Sequence, residues 1–303
     1  MAAVAQRFAR GPDGRSRLTS NYPESIAAIA SWARSQEVPV SEARQRYAQF
    51  AVLHAIASSR TLRAALCFKG GNALDFVWFA NRSTLDLDFS IADEATESQL
   101  VEALREGLAV ATAELGLTFR IQKVERRPPS PDFPWATVRL KVGYAFPDEP
   151  RLRGAIARGE DLSAVVPVEI SLNEVVGASE LVQFGGSEPL AVCTLEDIVA
   201  EKLRALLQQA LRNRTRNQDL LDIAAILRDG PALDLAKVAD FLQRKAAARN
   251  VPVSRSAFRD PELAARAHRE YATLQETTRR VFIPFDEALA ALEAFVEQLP
   301  IDP

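Results

Sequence analysis

The 303-residue chain is 48% hydrophobic and carries a net charge of −3, enough apolar material for a substantial core and a length that suits two domains or one large one. The N-terminal stretch MAAVAQRFARGPDGRSR has no uninterrupted apolar core of the signal-peptide kind, and no apolar run could span a bilayer, so a soluble cytoplasmic protein without membrane association is expected. Cys67, Cys193, His54 and His268 are the only cysteines and histidines, too few and too scattered for a disulfide framework, a paired-cysteine zinc site or a histidine triad.

Any chemistry must therefore rest on carboxylates and lysine. Charge is also uneven: residues 203–280 hold 15 Lys+Arg against 9 Asp+Glu, a local +6. A polyanionic partner and arginines on solvated helix faces both account for it.

From Ser41, SEARQRYAQFAVLHAIASSRTLRAAL repeats apolar residues at helical spacing through Tyr47, Phe50, Leu53, Ile56 and Leu62, which predicts a core helix with His54 as part of it. LCF reads as a strand entering the Gly70-Gly71 turn, NALDFVWFA as a helix, and NRST as the break before a second strand, LDLDFSI. TESQLVEALREGLAVATAEL predicts a helix opened by a Thr96/Gln99 capping box and closed by Gly116. LTFRIQKVE, WATVRLKVGYAF and VVPVEISLN alternate as strands. From Thr194 every apolar pattern is helical. The expectation is an α/β unit with a mixed sheet over residues 1–190, after some N-terminal helix, and an all-helical unit over 191–303, with the change falling near 185–194.

In LDLDF, positions two apart on a strand share a face, so Asp86 and Asp88 are expected to project together while Leu85, Leu87 and Phe89 point into the core. Attachment points about 6.6 Å apart imply roughly 2.5 kcal/mol of repulsion at an effective dielectric near 20 when both acids are ionised. A divalent cation would reverse that sign; two solvated acids on an open face is the plainer alternative. Gly70 and Gly71 let the backbone approach a ligand, and the helix after them aims its first amides forward, a phosphate cradle with Asn72 as an added donor and Lys69 and Arg82 as charges at either end. Glu169 in VPVEIS shares a face with Pro167 and Ser171, opposite Val168 and Ile170, and could complete a three-carboxylate set suited to metal-assisted phosphoryl transfer.

These segments, KGGNAL with RSTLDLDFS, then VPVEIS, EKLRALL and QDLLDI, span Phe68 to Ile223 and resemble the successive motifs of the AbiEii/AbiGii toxin family, nucleotidyltransferases of the DNA polymerase β superfamily found in bacterial type IV toxin-antitoxin systems. The resemblance implies a polymerase-β-like α/β nucleotidyltransferase core followed by an all-helical domain that contributes Lys202 and Asp222 to the active site. It implies that Gly70, Gly71 and Asn72 contact an NTP triphosphate, with Lys69, Arg82 and Thr84 beside them. Asp86, Asp88 and Glu169 would hold Mg²⁺ or Mn²⁺. Lys202 would meet the phosphates, with Asp222 holding it or touching the nucleotide; Asp219 would join them or pair with Arg216 or Arg204. Relatives usually carry Ser or Thr at the position of Asn72 and often Ser at that of Thr84, so hydroxyl contacts differ here.

The reaction so implied moves an NMP from ATP, GTP, CTP or UTP to an acceptor hydroxyl, with the tRNA 3′ acceptor end leading, which would inhibit translation and growth. A winged-helix antitoxin encoded next door would be its partner. LRNRTRN could contact RNA backbone or be a solvated interhelical loop. A nucleotidyltransferase acting on a small molecule such as an antibiotic, and a noncatalytic nucleotide-binding partner protein, remain as alternatives.

Overall fold

A computed structural model describes residues 21–91, 96–129 and 135–303; the N-terminal stretch read above for a signal peptide lies outside them. One mixed sheet of seven strands runs in the order β3-β4-β5-β2-β1-β7-β6, with β1 Leu66–Lys69, β2 Leu87–Ile91, β3 Thr118–Arg127, β4 Thr137–Ala145, β5 Val165–Ser171, β6 Ser179–Val182 and β7 Leu190–Cys193. The mixed α/β class expected from the sequence is the one observed.

Strand alternation gives the sheet two chemically different faces. In β5, Val166, Val168 and Ile170 are buried while Pro167, Glu169 and Ser171 are only half-buried, the period of two that a sheet with one apolar face requires. On that face Phe68 and Phe89 lie with ring centroids 5.2 Å apart, and the helices Val40–Ser58 and Glu97–Leu115 pack on each other and on β5 and β3. The Thr96/Gln99 capping box is present, and Gly116 closes its helix in the left-handed region.

Three departures from the sequence reading have local causes. The run from Ser41 to Leu66 is not one helix, because Ser59 is extended and its hydroxyl accepts the Leu62 amide, capping a separate helix Arg60–Ala65. Leu85 does not reach the core; it is 60% exposed, since β2 begins only at Leu87 and Asp86 stands in the preceding loop. β6 and β7, four residues each, are too short to show an alternation, yet β7 pairs parallel to β1 and extends the sheet to Cys193. The helical series then starts at Leu195, where the Thr194 hydroxyl accepts the Asp197 amide.

The helical region folds back over the polar face. The Leu195–Gln208 helix packs on Asn217–Asp229 and Leu235–Ala247. Segment 278–281 is tied to 81–82 by an Arg82/Thr278 bridge, by Arg279 N donating to Asn81 O (2.7 Å), and by Val281 N donating to Asn81 Oδ1 (2.8 Å). No described helix is long and apolar enough to cross a membrane.

Candidate active site

Strand register sets a row of charges across the polar face. Lys69 on β1 pairs with Asp88 on β2, Asp88 with Glu169 on β5, and Glu169 with Arg139 on β4. Side chains in register on neighbouring strands share a face, so Asp88 and Glu169 are adjacent although 81 positions separate them in sequence. Asp86, one step before β2, faces the same cavity of about 910 Å³, which Gly70, Gly71, Arg82, Thr84 and Lys202 also line.

The glycine bend is built against the acids. Gly70 has φ +74°, and a Cβ there would fall 2.4 Å from Asp88 Oδ2; a Cβ on Gly71 would fall 2.9 Å from Thr84 Cγ2. Only glycine lets this backbone lie so close to the carboxylate in a left-handed conformation. The Thr84 hydroxyl at the cavity wall is buried without a hydrogen-bond partner among the described residues.

Asn72 plays a different part from the one its position suggested. It is fully buried and does not line the cavity. Its Nδ2 donates to Asp86 O (2.6 Å) and Thr84 O (3.2 Å), and its Oδ1 accepts from Arg46 (2.8 Å). The amide thus fixes the loop that presents Asp86, its two N–H donors and its oxygen serving three partners at once.

Lys69 is anchored rather than free: its ammonium donates to Ser171 Oγ (3.0 Å) and pairs with Glu174, which also accepts from Ser90 Oγ (2.9 Å). Burial pulls the Lys69 ammonium below its ordinary value. Neither Glu174 nor Arg139 is singled out by the sequence; neither belongs to a glycine or spaced-acid motif, and only strand register and the turn after β5 bring them to the cavity.

On the opposite wall, Lys202 donates to Asp222 Oδ2 (2.8 Å) and Asp219 Oδ1 (2.9 Å), and Arg82 binds both oxygens of Asp222 at 3.2 and 3.0 Å. All but Asp219 are nearly inaccessible. Burial works against the Asp222 anion, but Arg82 and Lys202 outweigh it and hold the carboxyl down at about 2. Burial likewise opposes the Lys202 cation, and Asp222 and Asp219 overcome it, leaving its pKa raised. Asp219 also reaches Arg216 at 3.6 Å, whereas Arg204 pairs with Glu201.

At Asp88 the balance runs the other way, because the charges of Lys69 and Lys202 oppose its burial without overcoming it. Asp86 and Asp88 receive no hydrogen bond or ion pair on their side chains from any described residue. Burial, and next the Asp86 charge, push Asp88 up to about 7. Glu169 instead leans to Arg139 at 2.8 Å, and among the described residues no three acid, His or Cys groups are drawn tightly enough to hold an ion. Two carboxylates without hydrogen-bond donors beside a third engaged by a half-exposed arginine fit a hard divalent cation, which takes oxygen ligands and would offset both the burial and the repulsion that raise Asp88.

The fold is one shared with solved nucleotidyltransferases. The nucleotidyltransferase toxin MenT4 of Mycobacterium tuberculosis superposes with a TM-score of 0.58 at 20% identity, covering 89% of this chain and 90% of that one. A nucleotidyltransferase from H. pylori gives 0.52 at 15% identity, covering 84% and 92%. No curated protein matches the chain in sequence. The model of the nucleotidyl transferase AbiEii toxin family of type IV toxin-antitoxin systems matches residues 51–291, and the chain belongs to that family. It is accordingly a toxin-family nucleotidyltransferase, with an NTP substrate and an antitoxin partner implied by the family.

Proposed function

We propose that this protein transfers an NMP from a bound NTP to the 3′ hydroxyl of an RNA acceptor, with tRNA as the leading acceptor and arrest of translation and growth as the consequence. The observation that carries the reading is the placement of Asp86, Asp88 and Glu169 in the cavity that the Gly70-Gly71 bend also lines. Cytoplasmic tRNA is the natural substrate pool for such a chain, and a winged-helix antitoxin is the partner to seek beside its gene.

In this reading the backbone amides at Gly70 and Gly71 and the unpartnered Thr84 hydroxyl bind the triphosphate tail. Lys202 and Arg82, held in place by Asp222, face it with positive charge from the other wall. Asp86, Asp88 and Glu169 would hold Mg²⁺ or Mn²⁺, which when bound supplies Lewis-acid stabilisation of the α-phosphoryl oxygens. Glu169, at the outer end of the acid row, accepts the proton from the attacking hydroxyl, and the nearby Arg139 orients it. Asn72 acts through the loop, keeping Asp86 at the cavity wall. The region 191–303 thereby completes the site begun by 1–190.

Incubation with each α-³²P-labelled NTP in turn, a divalent cation and total tRNA tests this and names the base. Label is expected in RNA and absent with Asp86→Ala. Label found only in a small-molecule fraction would favour the antibiotic-type alternative, and none in any fraction a noncatalytic role.

A further inference from the structure

In-line displacement requires the acceptor hydroxyl to approach the α-phosphorus from the side opposite the departing pyrophosphate. Given the reading above, the phosphate tail lies at the Gly70-Gly71 bend, which adjoins the N-terminal end of β2 at Asp86 and Leu87. The acceptor must then enter across the other end of the acid row. There β4 and β5 finish their pairing at Thr137 and Ser171, and Leu172 N donates to Ala136 O (2.9 Å). Trp135 is the next residue out, and it lines the cavity.

Trp135 does not stand alone. The Arg249 guanidinium, from just beyond the Leu235–Ala247 helix, lies over its ring 4.1 Å from the centroid. Arg212 and Arg214 line the same cavity, are exposed, and have no carboxylate partner among the described residues. Burial, followed by Arg204, lowers Arg249 to about 10, with Glu201 opposing the shift and Arg212 adding to it. The cavity, about 910 Å³, lies at the upper end of the ~300–1,000 Å³ typical of small-molecule sites, leaving room beside an NTP for the end of a strand. A guanidinium stacked on an indole, flanked by uncompensated arginines, is the chemistry that receives an unpaired base with its phosphates.

We infer that Trp135 and Arg249 form a stacking platform for an unpaired base near the reacting end of a single-stranded RNA acceptor, with Arg212 and Arg214 contacting its phosphates. This rests on the RNA reading above and adds to it where the acceptor lies and which residues hold it. The platform accepts any base by its face, so it positions the strand without dictating its sequence; discrimination among acceptors would come from elsewhere on the RNA.

The test uses full-length protein and a fluorescein-labelled single-stranded RNA of about 10 nucleotides with a free 3′ hydroxyl, read by fluorescence anisotropy over a range of salt. Trp135→Ala and Arg249→Ala should each weaken RNA binding roughly tenfold or more, while Trp135→Phe keeps most of it. Trp135→Ala should leave the slope of log affinity against log salt unchanged, whereas Arg212→Ala and Arg214→Ala should each flatten it by about 0.7. In label transfer, Trp135→Ala should raise KM for RNA while KM for NTP stays within twofold. Unchanged RNA affinity in both Trp135→Ala and Arg249→Ala, or a weakening of NTP equal to that of RNA, would overturn the inference. Arg249→Ala and Trp135→Phe decide the matter if Trp135→Ala fails to fold. If the wild-type protein neither binds nor labels RNA, the underlying reading of the acceptor has failed; if it does both and the platform variants match it, only the platform has.

Discussion

Lys202 and Asp222, 20 positions apart on successive helices, meet at 2.8 Å at Oδ2, while Arg82 donates to both oxygens of the same carboxylate. The pair binds the helical region to the loop before β2, so the cation that faces the cavity is positioned by a residue that does not line it.

Removing that carboxylate leaves the buried Arg82 without its counter-charge and Lys202 with Asp219 alone. Asp222→Asn should therefore cost about 3–5 kcal/mol of unfolding free energy, the usual penalty for breaking one side of a buried pair, measured by urea denaturation. Asp219→Asn, at a more exposed carboxylate that contacts Lys202 alone at short range, should cost clearly less.

The acids Asp222 and Asp88 give opposite pH signatures. Asp222 has a folded value of about 2, below the unfolded value of about 3.9, so the folded state binds fewer protons. Its contribution is fully present above about pH 4 and is lost as pH falls toward 2. Asp88, at about 7 when no cation is bound, keeps a proton that the unfolded chain has released, so chelator-treated protein should lose stability as pH rises from about 4 to 7. Thermal melts with EDTA should show that decline; Asp88→Asn should flatten it and Mn²⁺ should reverse it. A chelated protein whose melting point climbs steadily across this window would contradict the assignment.

Gly70→Ala should be far more damaging to activity than to folding. The added methyl meets Asp88 Oδ2 at 2.4 Å and the φ of +74° disfavours any side chain, a strain of about 1–2 kcal/mol. Displacement of Asp88 should lower label transfer by about 100-fold or more, with a cooperative melt retained.

For Asn72→Ser the prediction separates its two conceivable duties. A triphosphate contact would survive through the hydroxyl, whereas a loop clamp would not, because serine cannot bridge Arg46 to the carbonyls of Thr84 and Asp86. The clamp predicts reduced kcat with KM for NTP little changed, and a stability loss of about 1–3 kcal/mol from the orphaned buried groups.

Much of this arrangement is legible in residue order. Period-two alternation places Glu169 on the polar face of its strand, and the glycine pair followed by spaced acids marks the cavity before any coordinates exist. What the sequence conceals is set by pairing over long separations. Arg139 meets Glu169 only because β4 lies beside β5, and Cys67 and Cys193, 126 positions apart, bring their Sγ atoms to 3.5 Å only because β7 joins the sheet next to β1. Asn72 was misleading for a related reason: its place after the glycines suggests a ligand contact, but the packing of Arg46 from the 40–58 helix turns its amide inward. Leu85 failed as a core residue because the strand starts two positions later than its alternation suggests.

Whether Asp86, Asp88 and Glu169 jointly hold a divalent cation is read directly by Mn²⁺ titration followed by electron paramagnetic resonance in the presence of NTP. Saturable binding should be weakened at least about tenfold in Asp86→Asn, Asp88→Asn and Glu169→Gln, and retained in Arg139→Ala, where Glu169 is freed from its ion pair. Mn²⁺ binding as tight in the three acid variants as in the wild type would contradict the account.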